Sequence, residues 1–201
     1  MVNAKEGVFT TELEQKLKEI CREYLTDSRP GDWEHTLRTV EWAKYIMERE
    51  GGDRDILLPA AYLHDIGWHF SLPKEIRNKN LSSAENLKAY FRGHLEHGSK
   101  EAKKILQNLN YPPDKVRRIV YIISIHDLPE LVDGKEEVIL MEADRLDRFG
   151  IAGLERSRRL FLDSNVKSII KRYELESKSW FRTETGKNAF KQLLEEMEPL
   201  L

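Results

Sequence analysis

Apolar residues recur along this chain at spacings of three and four, and glycine, proline and aspartate break the pattern at short intervals. That period predicts helices. Leu13, Leu17, Ile20, Tyr24 and Leu25 mark a first helix, capped by Thr10 or Thr11 and stopped by the turn Ser28-Arg29-Pro30-Gly31. A second, capped by Asp32, carries His35, Val40, Ala43, Ile46 and Met47 as far as Gly51-Gly52. A third covers 56–66, started by Asp53 or Asp55 and stopped at Gly67, and it is apolar almost without interruption. Residues 68–83 read as a loop through Pro73. A short helix follows over 84–90, then one from about 97 to 109, ended by Tyr111-Pro112-Pro113. The next runs from Asp114 to Ile125, and 128–134 read as a loop. Further helices are predicted over 136–149, 153–161, 165–180 and 185–197. The β-branched stretch 119–125 continues a helical pattern from Lys115, so it is not read as a strand. With no repeat and no low-complexity linker, the expectation is an all-α helical bundle, one domain over 1–201. Its candidate chemistry lies within about 32–150, and C-terminal helices fill 151–201.

Composition narrows the classes. The chain has 201 residues, 40% hydrophobic and 34% charged, with a formal net charge of -2. That suits a globular domain with solvated helix faces, and it gives no global attraction to a nucleic-acid polymer or an anionic membrane. The one cysteine, Cys21, falls on an apolar helix face, is read as a packed thiol and excludes an intrachain disulfide. Residues 1–10 lack a signal core and no run approaches spanning length, so a cytoplasmic location is expected. Homodimerisation is left open.

The chemistry gathers at few points. Of six histidines, four are His35, His64, His97 and His126; His64 adjoins Asp65, and Asp144 lies downstream. Imidazole and carboxylate are ligands for borderline and hard divalent metals. His64-Asp65 ends an apolar helix, where burying both groups is costly unless something pairs them; a His-Asp hydrogen bond capping a core helix is the plainer explanation. For Asp144 the plainer one is a charged helix face shared with Asp147, Arg145 and Arg148.

The order His, His-Asp, His, His, Asp in a helical chain resembles the HD-domain superfamily of metal-dependent phosphohydrolases. The resemblance runs from about Asp32 to Gly186, through Trp33-Glu34-His35-Thr36-Leu37-Arg38, Ala61-Tyr62-Leu63-His64-Asp65-Ile66-Gly67, His97-Gly98, Ile125-His126 and Glu142-Ala143-Asp144-Arg145-Leu146-Asp147. With Gly150-Ile151-Ala152-Gly153 and Thr183-Glu184-Thr185-Gly186-Lys187, it is similar to the small stand-alone bacterial and archaeal branch, which includes nucleotide pyrophosphohydrolases. Glu142 stands where relatives often carry Asp. Ile66-Gly67-Trp68 replaces the acidic pair of the ppGpp-hydrolysing relatives, which argues against that substrate.

The resemblance implies that His35, His64, Asp65 and Asp144 hold one divalent ion (Mn, Mg, Fe, Co or Zn), with Asp65 also catalytic. It implies a nucleoside triphosphate cleaved to monophosphate and pyrophosphate by metal-activated water. His97 and His126 are expected either to complete a second metal site or, the reading preferred from sequence, to act catalytically at the phosphates. His69 and His94 match no ligand and are read as loop residues. Arg38, one turn beyond His35, and Arg145, next to Asp144, are the expected substrate-binding cations, with Lys74 and Arg77 as lesser candidates. Trp68, Tyr90, Phe91 and Trp180 could stack on a base, though core packing is the default. Competing readings are a nucleoside monophosphatase or cyclic-nucleotide phosphodiesterase, a di-iron oxygenase using His35, His64, Asp65, His97, His126 and Asp144, and a non-catalytic binding domain.

Overall fold

Regular structure is helical throughout the described residues of the computed structural model, which are 7–79, 81, 87–160 and 179–200. The helices are α1 (Thr11–Thr26), α2 (Asp32–Glu50), α3 (Arg54–Leu63), α4 (Gly67–Ser71), α5 (Leu87–Asn108), α6 (Pro113–Ile125), α7 (Lys135–Leu146), α8 (Gly150–Leu160) and α9 (Glu184–Met197), with no strand among the described residues. The predicted helix over 165–180 falls almost wholly outside those residues, as does the start of the one over 84–90.

α3 is the axis of the bundle. Its Leu57, Leu58, Ala60, Ala61 and Leu63 have no exposed surface. A helix apolar on every side is stable only when neighbours surround it, and α1, α2, α6 and α7 do so. Asp53 caps it, its Oδ1 accepting from the Asp55 N–H at 2.8 Å.

Several boundaries differ from expectation. Asp32 opens α2 but does not cap it. Gly31, at φ +79°, holds the cap position, and the Asp32 carboxylate turns back onto Arg29. The expected third helix ends three residues early, at Leu63, and Gly67 starts α4 within the expected loop. A 3-10 turn, Lys74–Ile76, follows. The two helices expected over 84–90 and 97–109 join into the continuous α5, since Gly93 and Gly98 lie within it and break nothing.

Gly67 and Gly98 explain this. A Cβ on Gly67 would lie 1.9 Å from the His94 carbonyl oxygen and 2.6 Å from the Gly98 N. α4 and α5 therefore pack backbone against backbone, a gain that offsets the roughly 1 kcal/mol a helical glycine costs. Gly67→Ala is expected to destabilise the protein by about 3 kcal/mol or more, at the upper end of overpacking effects. Thermal unfolding should then shift down by about 6–12 °C; an unchanged midpoint would show that the crossing yields easily.

The C-terminal motif has a structural use. Glu142 on α7 accepts from the Thr183 N–H at 2.7 Å and the Thr183 hydroxyl at 2.6 Å, docking the start of α9. Gly186 leaves the room, since a Cβ there would meet Glu142 Oε2 at 2.3 Å.

Candidate metal centre

The C-terminal end of α3 delivers His64 and Asp65 to the middle of the bundle. His35 reaches them from α2, His94 from α5, His126 from the end of α6 and Asp144 from α7, and none of the six is more than 4% exposed. Three of the imidazoles are fixed in one way. Each Nδ1 faces the carbonyl three residues earlier: His64 to Ala61 at 2.8 Å, His94 to Phe91 at 2.6 Å and His126 to Ile123 at 2.8 Å. A carbonyl only accepts, so Nδ1 carries a proton and each ring turns its Nε2 inward. His35 is fixed otherwise, its Nδ1 lying 2.7 Å from Asp147 Oδ2.

The inward atoms form two groups that share Asp65. His35 Nε2 and His64 Nε2 are 3.3 Å apart. Asp65 Oδ2 lies 3.4 and 3.6 Å from them, and Asp144 Oδ1 3.1 and 3.8 Å. On the other side, His94 Nε2 and His126 Nε2 are each 3.8 Å from Asp65 Oδ1. Asp127 Oδ2 is 3.4 Å from His94 Nε2 and 4.0 Å from His126 Nε2. Neither of these two Nε2 atoms takes a hydrogen bond, although both are buried. A buried acceptor without a donor is costly, and a cation is the partner that such a lone pair and the nearby carboxylates have in common. The residues therefore fit a divalent metal. The ligand atoms of His35, His64 and Asp65, and again those of Asp65, His94 and His126, lie within 4.8 Å of one another.

Arginines surround the carboxylates. Arg29 contacts Asp65 and Asp32, and Arg156 reaches Asp32 at 2.8 Å. Arg38 grips Asp147 through Nε and, at 3.0 Å, through Nη2. Arg148 bridges Asp144 at 2.9 Å and Asp127 at 3.3 Å, and Arg145 lies 3.5 and 3.6 Å from the same pair. Asp32, Asp65, Asp127, Asp144 and Asp147 are thus met by Arg29, Arg38, Arg145, Arg148 and Arg156, one cation for each anion.

These contacts set the titration of the protein alone. Burial opposes ionisation of Asp65, but the Arg29 charge and neighbouring imidazoles hold its carboxyl well below the usual range. Burial opposes it at Asp144 too, where Arg148 and His35 nonetheless hold the carboxyl well below the usual range. Burial and Arg156 act to lower the His35 imidazole, yet Asp144, Asp147 and Asp65 push it up to about 10. Burial dominates at His64, which falls to about 4 despite Asp65. Adjacent imidazoles with such different proton affinities are what a crowd of buried charges produces.

The structure brings His35, His64, Asp65, His126 and Asp144 together, as the sequence suggested. It does not bring His97, which lies on the exposed face of α5. His94 occupies that place and is neither a loop residue nor peripheral. The signal was in the sequence: His94, Gly98, Ala102 and Leu106 recur at four-residue spacing, and all are buried. Arg38 and Arg145, expected at a substrate, both contact aspartates of the cluster. Arg77 pairs with Asp27 at 2.9 Å, and Lys74 is exposed. Among the aromatics, Trp68 is fully buried, stacked on His94 with centroids 4.5 Å apart, and its Nε1 donates to Asp65 Oδ1 at 3.1 Å. Trp180 is buried beneath Arg145 and Arg148.

The HD domain sequence profile matches residues 32–148, more than half of the chain. The chain belongs to the HD domain family. Its buried histidines and aspartates form groups that could hold a divalent metal, as is typical of that domain. Over 150 residues it is 28% identical to the uncharacterized protein YpgQ of Bacillus subtilis, covering 71% of this chain and 63% of that relative's length. The crystal structure of B. subtilis YpgQ in complex with ADP matches with a TM-score of 0.65 at 22% identity, over 93% of this chain and 90% of that one. A predicted HD superfamily hydrolase from an uncultured Thermotogales bacterium matches at 0.62 and 22%, over 92% and 87%. At these identities the solved structures show a shared fold. No helix among the described residues is long and apolar enough to cross a membrane.

Proposed function

We propose that this HD-family chain is a metal-dependent phosphohydrolase that cleaves a nucleoside triphosphate to monophosphate and pyrophosphate. The observation that carries it is the convergence of four buried imidazole Nε2 atoms on the two oxygens of Asp65, with Asp144 and Asp127 flanking. On this reading His35, His64, Asp65 and Asp144 hold the first cation. His94, His126 and Asp65 hold a second, with Asp127 facing them. A bound divalent cation supplies charge that meets a polyphosphate, polarises a phosphoryl oxygen and acidifies water. The protein's own groups present Nε2 lone pairs, hold the carboxylates ionised and exclude bulk water. Because each aspartate of the cluster already has an arginine, Arg38 acts through Asp147 on His35 and is not a phosphate ligand. YpgQ has been crystallised with ADP, which supports a nucleotide as the substrate class here. Mixed nitrogen and oxygen donors favour Mn²⁺, Fe²⁺ or Co²⁺ over Mg²⁺.

The test is product analysis on ribo- and deoxyribonucleotides, with protein stripped by chelator and reloaded with one metal at a time. Pyrophosphate and monophosphate, lost on chelation and restored by Mn²⁺ or Co²⁺, are expected. Orthophosphate from monophosphates would replace the proposal with a nucleotidase. Inactivity with every metal, together with two irons per chain and O₂ uptake, would replace it with the di-iron oxygenase that the paired groups also resemble.

A further inference from the structure

We propose that Arg29, in the turn between α1 and α2, is the positioning residue that fixes Asp65 for cation binding. The proposal rests on Asp65 being a cation ligand and adds the group that holds it. Arg29 is 8% exposed. Its Nη2 donates to Asp65 Oδ2, the oxygen that faces His35 and His64. Its Nε donates to Asp32 Oδ1 at 3.0 Å, and its backbone N–H to Asp32 Oδ2 at 3.0 Å. Asp32 is itself anchored by Arg156 of α8 at 2.8 Å. The guanidinium lies 4.0 Å from the centroid of Trp68, whose Nε1 holds the other oxygen of Asp65.

Asp65 is therefore held at both oxygens by two side chains that stack on each other. A carboxylate just beyond a helix end has two free torsions, and a ligand that must order itself on binding loses affinity. Here Arg29 and Trp68 remove that freedom and aim one oxygen at each histidine pair. A lysine would keep the charge but not the planar fork that spans Asp32 and Asp65. This assigns the arginine of the turn a role that neither its neighbours in sequence nor its spacing from His35 marks.

The test is Mn²⁺ titration of chelator-stripped protein by calorimetry, with thermal unfolding and nucleotide kinetics alongside, for wild type, Arg29→Met, Arg29→Lys and Trp68→Phe. Arg29→Met is expected to weaken Mn²⁺ binding by about 10- to 100-fold, the range seen when groups behind a ligand are removed. kcat should fall while KM for nucleotide changes less than about threefold, and Arg29→Lys should recover part of the loss. Trp68→Phe keeps the stacking surface, removes only the Nε1 donor and should weaken Mn²⁺ in the same direction; it serves if Arg29→Met does not fold. Wild-type Mn²⁺ affinity in a folded Arg29→Met, with only a lower unfolding midpoint, would overturn the proposal. Raised KM with unchanged Mn²⁺ affinity would overturn it in favour of a phosphate contact. Wild-type protein that binds Mn²⁺ normally yet hydrolyses no nucleotide would overturn the proposed function and leave the role of Arg29 standing.

Discussion

Asp65→Ala is expected to abolish retention of the metal and to lower kcat/KM by about a thousandfold or more. The change removes the one carboxylate facing both histidine pairs, at 3.4 and 3.6 Å on one side and 3.8 Å twice on the other. A bound cation contributes several kcal/mol to a phosphoryl transition state, and about 4 kcal/mol corresponds to three orders of magnitude. Folding needs its own control. The substitution leaves Arg29 buried with Asp32 alone and leaves the Trp68 Nε1 without its acceptor. Breaking a buried pair costs about 3–5 kcal/mol when a charge is stranded, although the Asp32 contact moderates that loss. Asp65→Asn keeps an oxygen for Trp68 and is the milder companion, with the same expected loss of metal. The readouts are metal content after gel filtration, unfolding midpoint and initial rate under Mn²⁺. Turnover near the wild-type rate in either folded variant would show that the reaction does not depend on this centre.

The sequence made the helical class legible because α3 is so uniformly apolar that it has to be surrounded, and because caps such as Thr10 and Asp53 stand where helices begin. It made His35, His64, Asp65 and Asp144 legible through their order along the chain. The rest depended on contacts across long separations. Arg38 looked like a phosphate hook one turn past His35, yet its fork is filled by Asp147, 109 positions away. Arg29 looked like part of a turn, and its partner Asp65 lies 36 positions on. Gly67 read as a helix stop, because local propensity does not report that two helices cross there, against Gly98, without side chains between them.

The order of histidines along the chain is what placed His97 at the centre, and paired substitutions separate it from His94. His94→Gln is expected to lower activity by about a hundredfold or more, and to remove the weaker of two Mn²⁺ equivalents. His97→Gln should match wild type in rate and metal content, with stability within about 0.5 kcal/mol, as for surface substitutions generally. The contrast follows from α5 alone. Positions 94, 98, 102 and 106 share its buried face, while 97 is turned some 60° further, assuming 100° per residue, onto solvent. On the buried face the His94 ring is braced three ways: Nδ1 on the Phe91 carbonyl at 2.6 Å, its plane on Trp68, and Nε2 directed at Asp65 and Asp127. Glutamine can satisfy a nearby carbonyl, but it cannot reproduce the stacked plane or the imidazole lone pair. If both variants behaved alike, or if the loss fell on His97→Gln, α5 would have to be rotated about its axis in the working enzyme. The second cation, the continuity of α5 and the Gly67 crossing would then all need reassignment together, because each depends on the same helical register.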